Sequence, residues 1–167
     1  HQPAEAESLL SQAEKAHQGG QVPNAITLWE RIIRKYPNTA SAAKSYNRLG
    51  EIYLAQGQYD TAAKYFSYLI YTYPRWEGIG AARVNQLRLM ALTGKKKQVI
   101  KEAVSLWESS PDPAVRLELS HLMIGIHSAE GDLETAFDWS SSGFTVANTP
   151  EQKKALSDET VKFLERA

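Results

Sequence analysis

The chain has 167 residues, 43% hydrophobic and 23% charged, with 19 Lys and Arg against 19 Asp and Glu. That length buries a real core as one ordinary soluble domain or a run of small repeats, and zero net charge gives no whole-molecule pull on phosphate backbones or acidic lipid, so nucleic acid is not an expected partner. With no cysteine, thiol catalysis, thiolate metal sites and disulfides drop out together, and at a mean hydropathy of −0.42 no apolar stretch reaches the ~18 residues of a membrane span.

A fixed step runs through the chain. Gly20, Gly57, Gly94 and Gly131 are 37 residues apart each time (57−20, 94−57, 131−94). The same step carries Pro37 to Pro74 to Pro111, and Ala25 to Ala62 to Val99 to Ala136. Nine residues after each glycine come Trp29, Phe66, Ala103 and Ser140, so the pattern weakens toward the C-terminus but keeps its register.

In chain order, helices are expected over 4–18, 22–35, 40–56, 59–72, 78–93, 96–109, 113–129 and 133–146. The second carries a stripe of Ala25, Leu28, Trp29, Ile32, Ile33 and Tyr36, spaced three or four apart as one helix face requires. The third carries Tyr46, Leu49, Gly50 and Tyr53, and the fourth repeats the stripe as Ala62, Tyr65, Phe66, Leu69, Ile70 and Tyr73. The eighth has Ala136, Trp139, Ser140, Gly143, Phe144 and Ala147. The glycines suit the left-handed backbone that ends a helix, and the prolines stop the second helix of each pair. A ninth helix opens on Thr149, Pro150, Glu151 and Gln152, which read as N-cap, first-turn proline and capping-box partner. Its apolar side is Leu156, Thr160, Phe163, Leu164 and Ala167; Lys153, Lys154, Asp158, Glu159, Lys162 and Arg166 make the other side wet.

The fold class is therefore all-α. One domain over 1–167 is expected, with hairpin units near 4–38, 39–75, 76–112 and 113–148 and a capping helix over 149–167.

The second unit, YNRLGEIYLAQGQYDTAAKYFSYLIYTYP, resembles a tetratricopeptide repeat at Tyr46, Leu49, Gly50, Tyr53, Gly57, Tyr59, Ala62, Phe66 and Pro74. The other units keep the turn glycine and the small residue; the first has Gln12-Ala13 for Leu-Gly and the third Gln86-Leu87. The resemblance implies a right-handed α-α superhelix, a solenoid of hairpins. The segments IRKYPNTASAAKSYNRLGEIYLAQGQYDTAAKYF and IYTYPRWEGIGAARVNQLRLM further resemble the repeats of bacterial envelope proteins: assembly lipoproteins of the BamD type, the cell-division coordinator associated with Tol-Pal, and the amino-terminal domain of LpoA-like penicillin-binding-protein activators. The degenerate later units and the charged closing helix favour the activator type. That likeness implies a periplasmic protein or one anchored to the outer membrane facing the periplasm, with no direct membrane span. HQPAEAESLL has no basic n-region or apolar core of a signal peptide, so any export signal is expected to have been removed ahead of it or never to have existed.

Tetratricopeptide geometry implies a concave surface lined by the first helices, suited to a protein or peptide partner. The residues it places there are Glu14 and His17, then Lys44, Asn47, Arg48 and Glu51, then Asn85 and Arg88, then Glu118 and His121; the bland alternative for each is a solvated helix face. Lys44 and Arg48, one turn apart, suit a carboxylate. They resemble part of the carboxylate clamp that grips chaperone tails, but the preceding unit offers Ser11 and Glu14 where the clamp has asparagines. Tyr68, Tyr71 and Trp76 form an exposed aromatic patch, or else pack between neighbouring repeats.

Reactive chemistry finds little footing. His1 is terminal, and His121 and His127 are six apart, which sends them to different sides of a helix rather than to one metal. Ser140, Ser141 and Ser142 lack a glycine-flanked elbow, and no phosphate-cradling loop occurs. Lys95, Lys96, Lys97 and Lys101 read as a solubilising edge. The expectation is a non-catalytic envelope scaffold with no cofactor and no metal; the alternative is a cytoplasmic adaptor receiving a peptide tail or secretion substrate.

Overall fold

The structure, a computed structural model, describes residues 3–166; His1 and Ala167, which the sequence reading placed at the terminus and on the closing helix, lie outside the described residues. Every regular element among the described residues is an α-helix: α1 (Ala4–Gln18), α2 (Val22–Lys35), α3 (Ala40–Ala55), α4 (Tyr59–Thr72), α5 (Ile79–Leu92), α6 (Lys96–Ser109), α7 (Pro113–Ala129), α8 (Leu133–Val146) and α9 (Pro150–Glu165). The expected spans differ only at the ends of α3, α5 and α9. None of these helices is long and apolar enough to cross a membrane.

The hairpin turns are built the same way four times. Gly20, Gly57, Gly94 and Gly131 have φ of 79°, 76°, 87° and 80°. The residue after each, Gln21, Gln58, Lys95 and Asp132, donates its N–H to the carbonyl five residues back at 2.8, 2.9, 3.0 and 2.9 Å, so carbonyls left over at the helix end gain a donor. At the other end of the hairpin, α2, α4 and α6 stop two residues before Pro37, Pro74 and Pro111.

The chain divides into two compact units, one up to Leu89 and the other from Met90. In the first, Trp29 and Phe66 are both fully buried, as their places on the stripe require. Trp29 packs with Ala13, Ala25, Ile32 and Leu49, and Phe66 with Ala43, Ala62, Leu69 and Ala82. The Leu-Gly pair of α3 acquires its reason here: a Cβ on Gly50 would sit 2.6 Å from the Phe66 ring, so the absence of a side chain lets α4 approach α3. Tyr53 stacks on Tyr65, ring centroids 5.6 Å apart and planes 3° from parallel.

In the second unit, α9 seals α8 and α7. Leu156 and Phe163 are buried with Leu117, Ile124 and Ala136. Ser140 Oγ lies 2.7 Å from Thr160 Oγ1, so the serine that resembles a nucleophile only in sequence is a buried contact between α8 and α9. Thr149 accepts from Gln152 N–H at 3.1 Å, and the Gln152 side chain accepts from Thr149 N–H at 3.2 Å, completing the expected capping box. Two expected core residues are not core: Leu164 is 52% and Phe144 38% exposed. Each follows a buried neighbour, Phe163 and Gly143, by one position, which turns it about 100° round its helix axis. Arg116 on α7 donates from Nε to the Trp107 carbonyl at 3.1 Å and stands 5.3 Å from the centre of the Trp107 ring, which meets Trp139 edge-on.

Candidate functional site

The first helices of the first unit bring together three of the expected inner-face residues. Arg48 Nε donates to Glu14 Oε1 on α1 at 2.9 Å, and Nη1 donates to Glu51 Oε1 on α3 at 3.0 Å. Glu14 and Glu51 are equivalent by the repeat (51−14 = 37), so one guanidinium bridges the same carboxylate position in adjacent units. Partial burial opposes the Arg48 charge, yet Glu14 and then Glu51 hold the guanidinium above its already high ordinary range. The expected use of Lys44 with Arg48 against a partner's carboxylate is therefore corrected: Arg48 already holds two carboxylates of its own chain, whereas Lys44, half-buried on α3, makes no ion pair among the described residues.

The other inner-face residues divide by burial. Asn47 is 8% and Asn85 7% exposed, so both belong to the packed side of their helices more than to an open groove. Asn47 Oδ1 is buried with no hydrogen-bond partner among the described residues, and Asn85 Oδ1 accepts from Arg88 Nη1 at 2.7 Å. His17 is half-buried with its ring 5.7 Å from Trp29, whose Nε1 is buried without an acceptor among the described residues. In the second unit Glu118 is exposed, and His121 Nδ1 pairs with the Glu159 carboxylate of α9. His127 is buried, with Nδ1 3.7 Å from Asp132 Oδ2.

The aromatic patch is smaller than expected. Tyr71 is 87% and Tyr68 49% exposed, but Trp76 is partly buried against the Phe66 cluster and leaves the patch. Tyr68 leans on Tyr46, ring centroids 4.8 Å apart. Burial, with Tyr68, Tyr73 and Tyr65 around it, pushes the Tyr46 phenol up to about 12. Sequence reasoning took Tyr46 for a signature residue and missed it as the hub of this cluster; it also missed Glu5, whose carboxylate accepts a hydrogen bond from the Tyr36 hydroxyl. The exact step of 37 was the available clue to the Glu14 and Glu51 correspondence.

Residues 6–39 match a family model described as Tetratricopeptide repeat, and residues 43–76 match another of the same description. A comparison with curated proteins finds no match. The matched stretches take in most of α1 with α2 and most of α3 with α4, the hairpins that carry the Glu14, Arg48 and Glu51 bridge. These two adjacent matches support a tetratricopeptide repeat protein, and such repeats indicate a protein–protein interaction scaffold.

Proposed function

We propose that this chain is a non-catalytic scaffold of the bacterial cell envelope that holds a protein or peptide against the first helices of its repeats. The observation that carries the reading is the polar face of α1 and α3, where Arg48 is fixed by Glu14 and Glu51 beside Lys44, which has no ion pair among the described residues. A fixed framework beside an uncommitted cation recognises an anionic group without ordering the framework's own side chains first. In the first unit His17 and Arg88 are further first-helix candidates, in the second unit, taken by itself, Glu118 and His121 are the first-helix candidates, and Tyr68 with Tyr71 offers a separate aromatic contact. The reading includes units 4–38, 39–75, 76–112 and 113–148 closed by 149–167. Its support beyond the matched repeats is the return of the same turn backbone at Gly94 and Gly131. Tetratricopeptide repeat proteins are in general non-catalytic scaffolds, and the likeness of residues 33–66 to envelope repeats supports the compartment.

Crosslinking in cells followed by mass spectrometry tests both parts. Lys44→Glu is expected to remove the principal partner while leaving helicity unchanged, and that partner is expected to be an envelope protein. Undiminished capture by Lys44→Glu would refute the first-helix face, and partners confined to the cytoplasm would refute the compartment.

A further inference from the structure

Adjacent repeats can be compared residue by residue, and one hydroxyl differs between them. Tyr36 and Tyr73 are equivalent (73−36 = 37), each following the second helix of its hairpin with nearly the same backbone: φ −127° and ψ 55° at Tyr36, φ −123° and ψ 53° at Tyr73. Tyr36 donates a hydrogen bond from its hydroxyl to the Glu5 carboxylate. The position equivalent to Glu5 in the next repeat (5 + 37 = 42) is Ala42, fully buried and without an acceptor side chain. Tyr73 Oη accepts from Asn38 N–H at 3.0 Å, but its own proton finds no acceptor among the described residues. The second repeat lacks the carboxylate that the first supplies to itself.

Next to that hydroxyl is a cavity of about 360 Å³ lined by Ala40, Ala43, Thr72, Tyr73, Arg75 and Trp76 among others. One wall is preformed, because the Trp76 ring fills the space a side chain at Gly78 would need. Arg75 is exposed and makes no ion pair among the described residues. The cavity therefore joins an apolar floor to two donors suited to an anion, a phenol and a guanidinium. Because both features share one small cavity, the matching ligand carries its carboxylate and its apolar body on a single residue. The last residue of a polypeptide has that chemistry.

We propose that this cavity captures the apolar C-terminal residue of a partner polypeptide, with the side chain against Trp76 and the α-carboxylate on the Tyr73 hydroxyl and the Arg75 guanidinium. The polypeptide source rests on the proposed scaffold function; the carboxylate chemistry does not, and none of the first-helix polar residues takes part.

The test is an NMR titration of the full chain with an N-acetylated tripeptide ending in phenylalanine, as the free acid and as its carboxamide. The acid is expected to shift the Trp76 indole and Arg75 amide signals and to bind about tenfold tighter than the amide, the worth of one charge-assisted hydrogen bond. Arg75→Gln and Tyr73→Phe should each remove that preference, while Lys44→Glu leaves it intact, which separates this site from the first-helix face. If Tyr73→Phe loses helicity, the exposed Arg75 decides alone. Equal binding of acid and amide, or shifts that bypass Trp76, would overturn the proposal. 3-Phenylpropanoate, which has the ring and the carboxylate but no peptide group, binding as tightly as the tripeptide would overturn the polypeptide source.

Discussion

Arg48 of α3 and Glu14 of α1 meet through a 2.9 Å hydrogen bond that ties the first helices of adjacent hairpins. Their side chains are 32% and 20% exposed, so solvent screens the pair and its worth is modest. A double-mutant cycle of Glu14→Gln and Arg48→Met, read by urea unfolding, is expected to give a coupling of about 0.5–1 kcal/mol at low salt. The coupling should shrink in about 1 M salt, where screening acts over ~3 Å. Zero coupling at low salt would mean that the bridge adds nothing to the stacking of the hairpins.

At Gly50 two effects of opposite sign compete. Alanine is the better helix former by about 1 kcal/mol, but its Cβ would lie 2.6–2.9 Å from three atoms of the fully buried Phe66 ring. Overpacking a core of this kind costs about 1–3 kcal/mol and wins. Gly50→Ala is expected to lower the melting temperature, and adding Phe66→Leu should recover part of the loss. A Gly50→Ala protein that melts higher than the parent would show that α4 moves aside without penalty.

Tyr46 sets an alkaline limit. Its phenol is pushed up from the ordinary 10.0 to about 12, chiefly by burial and then by Tyr68. Between those values the unfolded chain releases a proton that the folded chain still holds, so the stabilisation is complete below pH 10 and is lost as pH rises through the folded value. The denaturant midpoint should fall between about pH 9 and about pH 11, and Tyr46→Phe should flatten that fall. A decline of equal steepness in Tyr46→Phe would assign the alkaline loss to other groups.

Helix spans were legible because their punctuation is local. A glycine that needs positive φ and a proline that ends a helix act within a turn of the residues they govern, and Trp29 and Phe66 stood on stripes whose period is itself a local property. What a face meets is not local. Asn47 and Asn85 read as polar groove residues, yet both are buried by the packing around α3 and α5. Trp76 read as an exposed turn aromatic, yet it is held against the Phe66 cluster. Arg48 read as a free cation because its partner Glu14 is 34 residues away on another helix. Leu164 failed for the complementary reason: periodicity gives the width of an apolar stripe, but only the neighbouring helix decides how much of it is covered.

Gly57 and Gly50 stand seven residues apart (57−50 = 7) and answer unlike demands. At Gly57 φ is +76° and, its chain neighbours apart, no atom lies within 4 Å of where the Cβ of an L residue would go, so torsion and not space is what keeps a side chain out of the turn. A D-alanine placed there by chemical synthesis would meet that torsion and leave the unfolded chain fewer conformations, tightening the fold where its L-enantiomer would loosen it. Within one hairpin the same residue type thus solves a problem of chirality at the bend and one of volume inside the helix.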